Sequence, residues 1–275
     1  MFIDQPGSVG FSQVTYKDYN ETLIASEFSG FLANFYTAFP QLKSKNLYLH
    51  GESYAGQMVP HIADYLYNLT AEAAVPLKGI GLVSGAFQSD QWEFHIPSYD
   101  YLVSRKDDLQ LNASAIDAIT KSAQSLGLVG YLNSTLAYPP KGPILPPKQY
   151  TDEDEKSVTY AALPYLTAAN ECFNFYDIRE KCPSPFSPLV GKDNFINQTP
   201  GLKSALHVNE TDIWAACTRY KFIFPHMRDP TPPAFEDGSM ERVMAKSERV
   251  VMVAGQDDYK IIALGTQLGL QVSRL

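Results

Sequence analysis

Residues 51–56 read Gly-Glu-Ser-Tyr-Ala-Gly, and this stretch decides the fold because it places a serine between two regular elements. The apolar run Leu47-Tyr48-Leu49 before it predicts a short buried strand. The apolar residues after it recur at helical spacing, as Met58, Val59, Ile62, Ala63 and Leu66. A serine between a strand and a helix, with small residues around it, is how one large enzyme class presents a nucleophile.

The composition of this turn suits the geometry that a nucleophilic serine requires. Gly51 and Ala55 lie two positions before and after Ser53, where a sharp turn from strand to helix leaves little room for side chains. The same turn points the backbone N–H of Tyr54 toward the place where an oxyanion forms, and the helix beginning near Ala55 adds its positive end. An ordinary loop serine is the alternative, since so short a motif also occurs by chance.

Two further apolar runs, residues 80–83 and residues 250–253, predict buried strands. Residues 20–39 carry apolar side chains at helical spacing and are followed by Pro40, which predicts a long helix that ends there. Strands that alternate with helices indicate an α/β fold, with a mostly parallel sheet and helices on its faces.

The middle of the chain differs from both ends in its predicted secondary structure, so we divide the sequence into three segments. Residues 1–88 and 216–275 contain the predicted strands and form the core, whereas residues 89–215 are predicted to be a largely helical cap insertion. Within the insertion, residues 112–126 are expected to form a helix that begins with an asparagine and ends before Gly127.

Charge and hydropathy exclude several classes of partner. The formal net charge of −8 disfavours binding to nucleic acid or to an anionic membrane. We find no apolar stretch of about 18 residues, so no membrane span is predicted. Residues 1–6 lack the basic and then apolar pattern of a signal peptide, so none is visible in this sequence.

Asparagines in the Asn-x-Ser/Thr pattern are more frequent than the roughly one or two that average composition gives. They predict N-glycosylation in the secretory pathway at Asn20, Asn68, Asn112, Asn133, Asn197 and Asn209. Cysteine usage agrees with an oxidising compartment. Cys172 and Cys182 are near enough in sequence to close a small disulfide loop, which leaves Cys217 unpaired.

Four segments of the sequence resemble the serine carboxypeptidase family. Residues 51–60 are similar to its nucleophile motif, Gly-Glu-Ser-Tyr-Ala-Gly-x-Tyr-Val-Pro. Residues 3–12 resemble its Asp-Gln-Pro-Val-Gly-Thr-Gly-Phe-Ser segment, with Gly-Ser-Val in place of Val-Gly-Thr. Residues 175–179 and 205–209 match short sequence motifs from its cap and post-cap region. The resemblance implies an α/β-hydrolase core with a cap insertion, incomplete at both termini.

The resemblance also implies roles for individual residues. Asp258 matches the triad acid of the family's Gly-Asp-x-Asp-Phe segment, and the neighbouring Asp257 remains the alternative. Tyr54 provides one oxyanion donor, and Glu52 matches a residue that recognises the terminal carboxylate of a peptide substrate. Cys217 resembles a cysteine bridged to an upstream segment of the family. We predict no cofactor and no metal.

The catalytic histidine of the family is not found in this sequence. It follows the triad acid by several dozen residues in the family, whereas the chain has no histidine after Asp258. The five histidines present are interpreted as structural: His50, His61, His95, His207 and His226. Loss of a triad member lowers the rate by on the order of 10⁴ to 10⁶, so this chain is expected to be nearly inactive as it stands.

The sequence thus favours a serine-type carboxypeptidase that releases C-terminal residues from peptides through an acyl-enzyme on Ser53. A related acyltransferase built on the same triad and a truncated, non-catalytic fragment or binding remnant are the alternatives. A general esterase fits less well, because Glu52 lies beside the nucleophile and the motifs of the cap region match the carboxypeptidase family. Glycosylation predicts an extracellular, vacuolar or lysosomal location, and the oligomeric state is not predicted.

Overall fold

The computed structural model describes residues 1–12, 19–139, 142, 144–151, 153, 156–183, 194–217, 223–224 and 228–272. The histidine at 226 and three of the five residues of the acidic stretch at 151–155 lie outside these ranges.

In the part of the chain that the structure describes, three strands form a parallel sheet, as the sequence predicts. They are β1 (Leu47–Glu52), β2 (Leu77–Val83) and β3 (Arg249–Val253), in the spatial order β1-β2-β3. Their carboxyl ends lie level, because Glu52 pairs with Val83 and Val83 pairs with Val253. The chain therefore leaves all three strands at one rim of the sheet, which is where ligands bind in open α/β sheets.

Helices surround this sheet and fill the segment between β2 and β3. In chain order they are α1 (Glu21–Ala38), α2 (Ala55–Tyr67), α3 (Ser98–Ser104), α4 (Ala113–Leu126), α5 (Tyr131–Thr135), α6 (Val158–Ala169), α7 (Phe195–Gln198), α8 (Leu202–Ala205), α9 (Ser239–Lys246) and α10 (Ala263–Val272). A 3₁₀ turn at Pro40–Ser44 and a π-helical turn at Gln91–His95 complete the regular structure of the described residues.

Local sequence signals set the ends of two helices as predicted. Asn20 caps α1 by accepting the backbone N–H of Leu23, at 2.9 Å, and α1 ends just before Pro40. Asn112 caps α4 in the same way. Gly127 ends α4 in the left-handed conformation that glycine adopts at little cost.

The helix that follows the serine turn packs at the centre of the first hydrophobic core. α2 contacts β1, β2, α1 and α9. Its buried residues Val59, Ile62, Ala63 and Leu66 meet the buried stripe of α1, which comprises Ile24, Ala25, Phe28 and Leu32. Burial of each large aliphatic side chain stabilises the fold by about 1.5–3 kcal/mol, so this packing fixes the direction of α2 relative to the sheet.

A second hydrophobic core joins the helical segment to the loop after β3. Leu102, Ile119 and Leu166 of α3, α4 and α6 pack in one cluster with Tyr259 and Ile262. The loop that follows the last strand is therefore buried under the helical segment. The three-segment division remains a prediction.

No helix of the described residues is long and apolar enough to cross a membrane.

Candidate active site

Ser53 lies at the turn between β1 and α2 in a strained backbone conformation. Its φ of +53° is in the left-handed region, which costs a residue with a side chain about 1–3 kcal/mol. Backbone hydrogen bonds to two other segments of the chain hold it there. The Ser53 N–H donates to Val83 O, at 3.1 Å, and the Ser53 carbonyl accepts from the Ala86 N–H, at 2.9 Å. The side chain of Ser53 is exposed at the rim of the sheet.

The small residues around Ser53 are required by close packing. A Cβ on Gly51 would lie 2.6 Å from the Cβ of Ala55 and 2.8 Å from Cγ2 of Val59. A Cβ on Gly56 would lie 2.4 Å from the backbone nitrogen of Ala86, which cannot move as a side chain can. The geometry of this turn thus agrees with the reason that the sequence suggests for its composition.

The ends of the three strands are joined in a row across the rim. The Ser84 N–H donates to Val253 O at 2.7 Å, which continues the ladder beyond β2. The hydroxyl of Ser84 then accepts the Gly255 N–H at 3.3 Å and hydrogen-bonds to Asp258. The sheet thereby connects the serine turn to the loop that follows β3.

Asp258 lies in that loop and is almost fully buried, with 7% of its surface exposed. Its Oδ1 accepts the backbone N–H groups of Lys260 and Ile261, each at 2.8 Å. Burial raises the pKa of Asp258, whereas these N–H groups and the Ser84 hydroxyl oppose the rise because they favour the carboxylate. A carboxylate oriented in this way can accept a further hydrogen bond from a cationic or neutral imidazole.

Asp257, the neighbouring residue, is engaged by the helical segment. Its carboxylate forms ion pairs with Arg105 and with Arg179, the latter at 2.8 Å, and its carbonyl accepts the Ile178 N–H at 3.0 Å. Two consecutive acidic residues therefore have different environments, which the sequence does not reveal.

Ser53 and Asp258 open into the same cavity, which has a volume of about 1020 Å³. The charged residues in its wall are Glu52, Asp258 and Lys260, whereas aromatic rings and cysteine sulfurs provide much of the rest: Phe94, Phe173, Phe175, Tyr176, Cys172 and Cys217. Such a concave, largely apolar site with a few convergent polar groups is typical of ligand binding.

The family is decided by a match along nearly the whole chain. A family model described as serine carboxypeptidase matches residues 1–274. This chain belongs to the serine carboxypeptidase family.

Individual serine carboxypeptidases support the assignment. A carboxypeptidase Y homolog of Arthroderma benhamiae is 29% identical over 273 residues, which cover 98% of this chain and 53% of the relative. The pheromone-processing carboxypeptidase KEX1 of Tuber melanosporum is 28% identical over 79% of this chain and 35% of its own length. The crystal structure of Kex1(delta)p, a prohormone-processing carboxypeptidase from Saccharomyces cerevisiae, shares the fold with a TM-score of 0.64 and 20% identity, covering 96% of this chain and 57% of that chain.

The chain therefore spans about half the length of the first relative. Within the described part of this serine carboxypeptidase chain, no histidine lines the cavity and none hydrogen-bonds to Ser53. His61 instead lies on α2, with Nδ1 3.6 Å from the carboxylate of Asp237, and burial lowers its pKa. His50 is exposed on β1.

The remaining site candidates have defined positions. Glu52 is exposed at the cavity mouth beside Ser53. Cys172 and Cys182 form a disulfide, and Cys217 is free and exposed at the cavity. Five of the six glycosylation candidates are exposed: Asn20, Asn68, Asn112, Asn133 and Asn209. The sixth, Asn197, is partly buried.

Sequence reasoning missed several residues that line this cavity. Ser84 directly follows a buried strand, a position at the binding rim of the sheet that could have been noticed. Residues 173–176 line the cavity from within the disulfide loop, and their aromatic content beside Cys172 was a weaker signal. Lys260 lies 4.6 Å above the ring of Phe94, and the sequence carried no sign of that contact.

Proposed function

We propose that Ser53 is the nucleophile and Asp258 the triad acid of a serine-type carboxypeptidase. The observation that carries the proposal is the opening of both residues into one cavity, Ser53 from a strained turn and Asp258 from a buried, hydrogen-bonded position. Membership of the serine carboxypeptidase family supplies the reaction class. Asp257 is the weaker candidate, because Arg105 and Arg179 neutralise it.

The reaction proceeds in two acyl-transfer steps. Ser53 Oγ attacks the carbonyl carbon of the C-terminal peptide bond while an imidazole accepts its proton, and the imidazolium then protonates the departing amine. Water, deprotonated by the same imidazole, hydrolyses the acyl-enzyme. Asp258 orients the imidazole, and the Tyr54 N–H at the start of α2 stabilises the oxyanion together with the positive helix end.

Glu52 gives the exopeptidase its requirement for a free C-terminus. In its protonated form, its carboxyl group donates a hydrogen bond to the terminal carboxylate of the peptide. Its position beside Ser53 at the cavity mouth supports this role, since the scissile bond lies one residue from that carboxylate.

The imidazole is the group that the described residues do not supply at this cavity. We therefore propose that residues 1–275 alone are slower than a complete triad by on the order of 10⁴ to 10⁶. Without a base, Ser53 retains its proton and reacts poorly.

A glycosylated protein of the secretory pathway, extracellular or vacuolar, fits the remaining features. The exposed asparagines of five Asn-x-Ser/Thr sites and the disulfide between Cys172 and Cys182 support this location.

The test compares residues 1–275 with the longest natural protein that contains them, which is called the full protein in the experiments that follow. An N-blocked dipeptide is offered, and the released C-terminal amino acid is measured with and without a nucleophilic acceptor. Ser53→Ala should abolish release from the full protein, whereas Ser44→Ala, on the exposed 3₁₀ turn, should not.

A fluorophosphonate probe should label Ser53 in the full protein and fail to label it in residues 1–275. Efficient labelling of the isolated chain would contradict the need for an outside imidazole, and exclusive transfer to the acceptor would favour an acyltransferase.

A further inference from the structure

The side chain of Tyr54 lies against two carboxyl groups that come from distant parts of the chain. Its hydroxyl donates to Asp229 Oδ2 at 2.6 Å and lies 3.4 Å from Glu21 Oε1. Its ring contacts that of Phe224, with centroids 5.8 Å apart. The residue that follows the nucleophile is therefore connected to the start of α1 and to the segment before α9.

Glu21 is fully buried, whereas Asp229 is partly exposed. Backbone contacts hold the two segments together, because the Glu21 N–H donates to the hydroxyl of Thr231, at 2.9 Å, and the Thr231 N–H donates to Asp229 Oδ1, at 2.8 Å. Within the described residues, Glu21 Oε2 is buried and receives no N–H or O–H donor. The pair has the geometry of a built site, with one oxygen lacking a donor.

Counting protons shows what this arrangement needs. The phenol of Tyr54 has one proton, and the 2.6 Å contact assigns it to Asp229. If Glu21 is charged, its Oε1 and the phenol oxygen of Tyr54 are then two acceptors with no proton between them, which is unfavourable. The contact becomes favourable when Glu21 carries a proton of its own. A protonated Glu21 can donate to the phenol oxygen or to Asp229, and every contact becomes favourable.

The electrostatic surroundings agree with that count. Burial raises the pKa of Glu21 well above its usual range, and the nearby charge of Asp229 raises it further. Among the residues that the structure describes, two other titratable groups face the pair: Tyr54, at the N-cap of α2, which favours the charged form of Glu21, and His61 of α2, which is within the electrostatic range of Asp229. Burial outweighs the opposing effect of the Tyr54 hydroxyl.

We propose that Glu21 and Asp229 hold one proton between them and, through the hydroxyl of Tyr54, act as positioning residues for the oxyanion-hole turn. This inference rests on the proposed function for its catalytic consequence. The turn needs such support because Ser53 is held at a strained φ, which persists only where its surroundings fix it. When the proton is lost as pH rises, two adjacent carboxylates repel each other and the hold on Tyr54 weakens.

The first test measures the free energy of unfolding of the full protein between pH 4.5 and 8, with wild type compared with Glu21→Gln. The glutamine keeps a donor beside Asp229 but cannot titrate. Between the ordinary carboxyl pKa and the raised pKa of Glu21, the folded wild type keeps a proton on Glu21 that the unfolded chain has lost. The free energy of unfolding of wild type should therefore fall relative to that of the variant as pH rises through this range. The exposed Glu236→Gln is the control. A constant difference between wild type and Glu21→Gln would overturn the shared proton.

The second test measures the position of the turn without catalysis. Tyr54→Phe should accelerate amide hydrogen exchange of residues 51–57 about tenfold, since one hydrogen bond to a charged group is worth on the order of 1.5 kcal/mol. Tyr65→Phe is the matched control, because within the described residues its hydroxyl forms no hydrogen bond. Equal exchange in Tyr54→Phe and Tyr65→Phe would overturn the positioning role.

The third test is the pH profile of peptide hydrolysis in the full protein. Wild-type kcat should fall at a lower pH than that of Glu21→Gln, and identical profiles would contradict the coupling. An inactive wild type would contradict the proposed function alone, since unfolding and hydrogen exchange still measure the cluster.

Discussion

Asp257 and Asp258 are adjacent in sequence but bind different parts of the molecule. Arg105 and Arg179 form ion pairs with Asp257, whereas backbone N–H groups of the same loop and the Ser84 hydroxyl hold Asp258 at the cavity. The loop conformation therefore decides which of the two carboxylates lines the cavity together with Ser53.

This difference predicts opposite effects for two matched substitutions. Asp258→Asn in the full protein should lower kcat by on the order of 10⁴, because an amide cannot orient and stabilise the imidazolium. Asp257→Asn should leave kcat within about tenfold and should lower the free energy of unfolding, because Arg105 and Arg179 lose their partner. Kinetic assays and denaturant unfolding measure both. The reverse order of kcat effects would show that Asp257 is the acid.

Glycine positions provide a test of the packing at the turn. Gly56→Ala should destabilise the protein by about 1–3 kcal/mol or more, because its Cβ would lie 2.4 Å from the backbone nitrogen of Ala86. Gly30→Ala in α1 is the control. No atom lies within 4 Å of its added Cβ, so alanine should stabilise the helix by about 0.5–1 kcal/mol. Urea unfolding measures both, and equal effects would contradict the close approach of α2 to residue 86.

Glu93 should make stability depend on pH independently of the Tyr54 cluster. It is fully buried, and its Oε1 accepts the N–H groups of Phe87 and Gln88, at 3.0 and 3.1 Å. Burial raises its pKa well above the usual range, so the folded state binds more protons than the unfolded state. Its contribution to stability is present at acidic pH and is lost as pH rises toward that raised pKa.

The corresponding measurement compares wild type with Glu93→Gln by thermal unfolding from pH 4.5 to 8. The variant keeps an oxygen acceptor for both N–H groups but has no titrating proton. Its stability relative to wild type should therefore increase with pH. A relative stability that decreases with pH would mean that Glu93 is charged in the folded protein.

Glycosylation should spare one of the six candidate asparagines. Asn197 is the one candidate that is partly buried. Its side-chain amide donates to Trp214 O at 2.8 Å and its Oδ1 accepts the Trp214 N–H at 3.0 Å, so a glycan on Nδ2 would disrupt this contact within the fold. Mass spectrometry of the protein purified from its natural source should find glycans at exposed sites such as Asn133 and Asn209 and none at Asn197. Asn197→Gln should also lower stability, whereas Asn133→Gln should not. A fully occupied Asn197 would contradict this arrangement.

The family and the main elements could be predicted from the sequence because they depend on local patterns. The order of apolar residues fixes β1, β2, β3, α1 and α2, and the asparagine caps fix where α1 and α4 begin. The motif at residues 51–60 is also local, so it identified the family before any contact was known.

Contacts between distant segments could not be predicted in this way. The apposition of Glu21 and Asp229 joins residues more than two hundred positions apart, and the pairing of Asp257 with Arg105 spans 152 positions. No short-range pattern encodes which side chains meet across such separations. They are set by the packing of α1 against α2 in the first core, and by the packing of the helical segment against the loop after β3 in the second.

The sequence by itself thus determined that a serine stands at the carboxyl end of a parallel strand, within a serine carboxypeptidase chain. Only the tertiary structure decided which groups surround that serine: Asp258 at its cavity, Ser84 beside Asp258, and the pair of Glu21 and Asp229 behind Tyr54. The physical reason is that burial and electrostatics depend on three-dimensional distance, whereas sequence patterns report only neighbours along the chain.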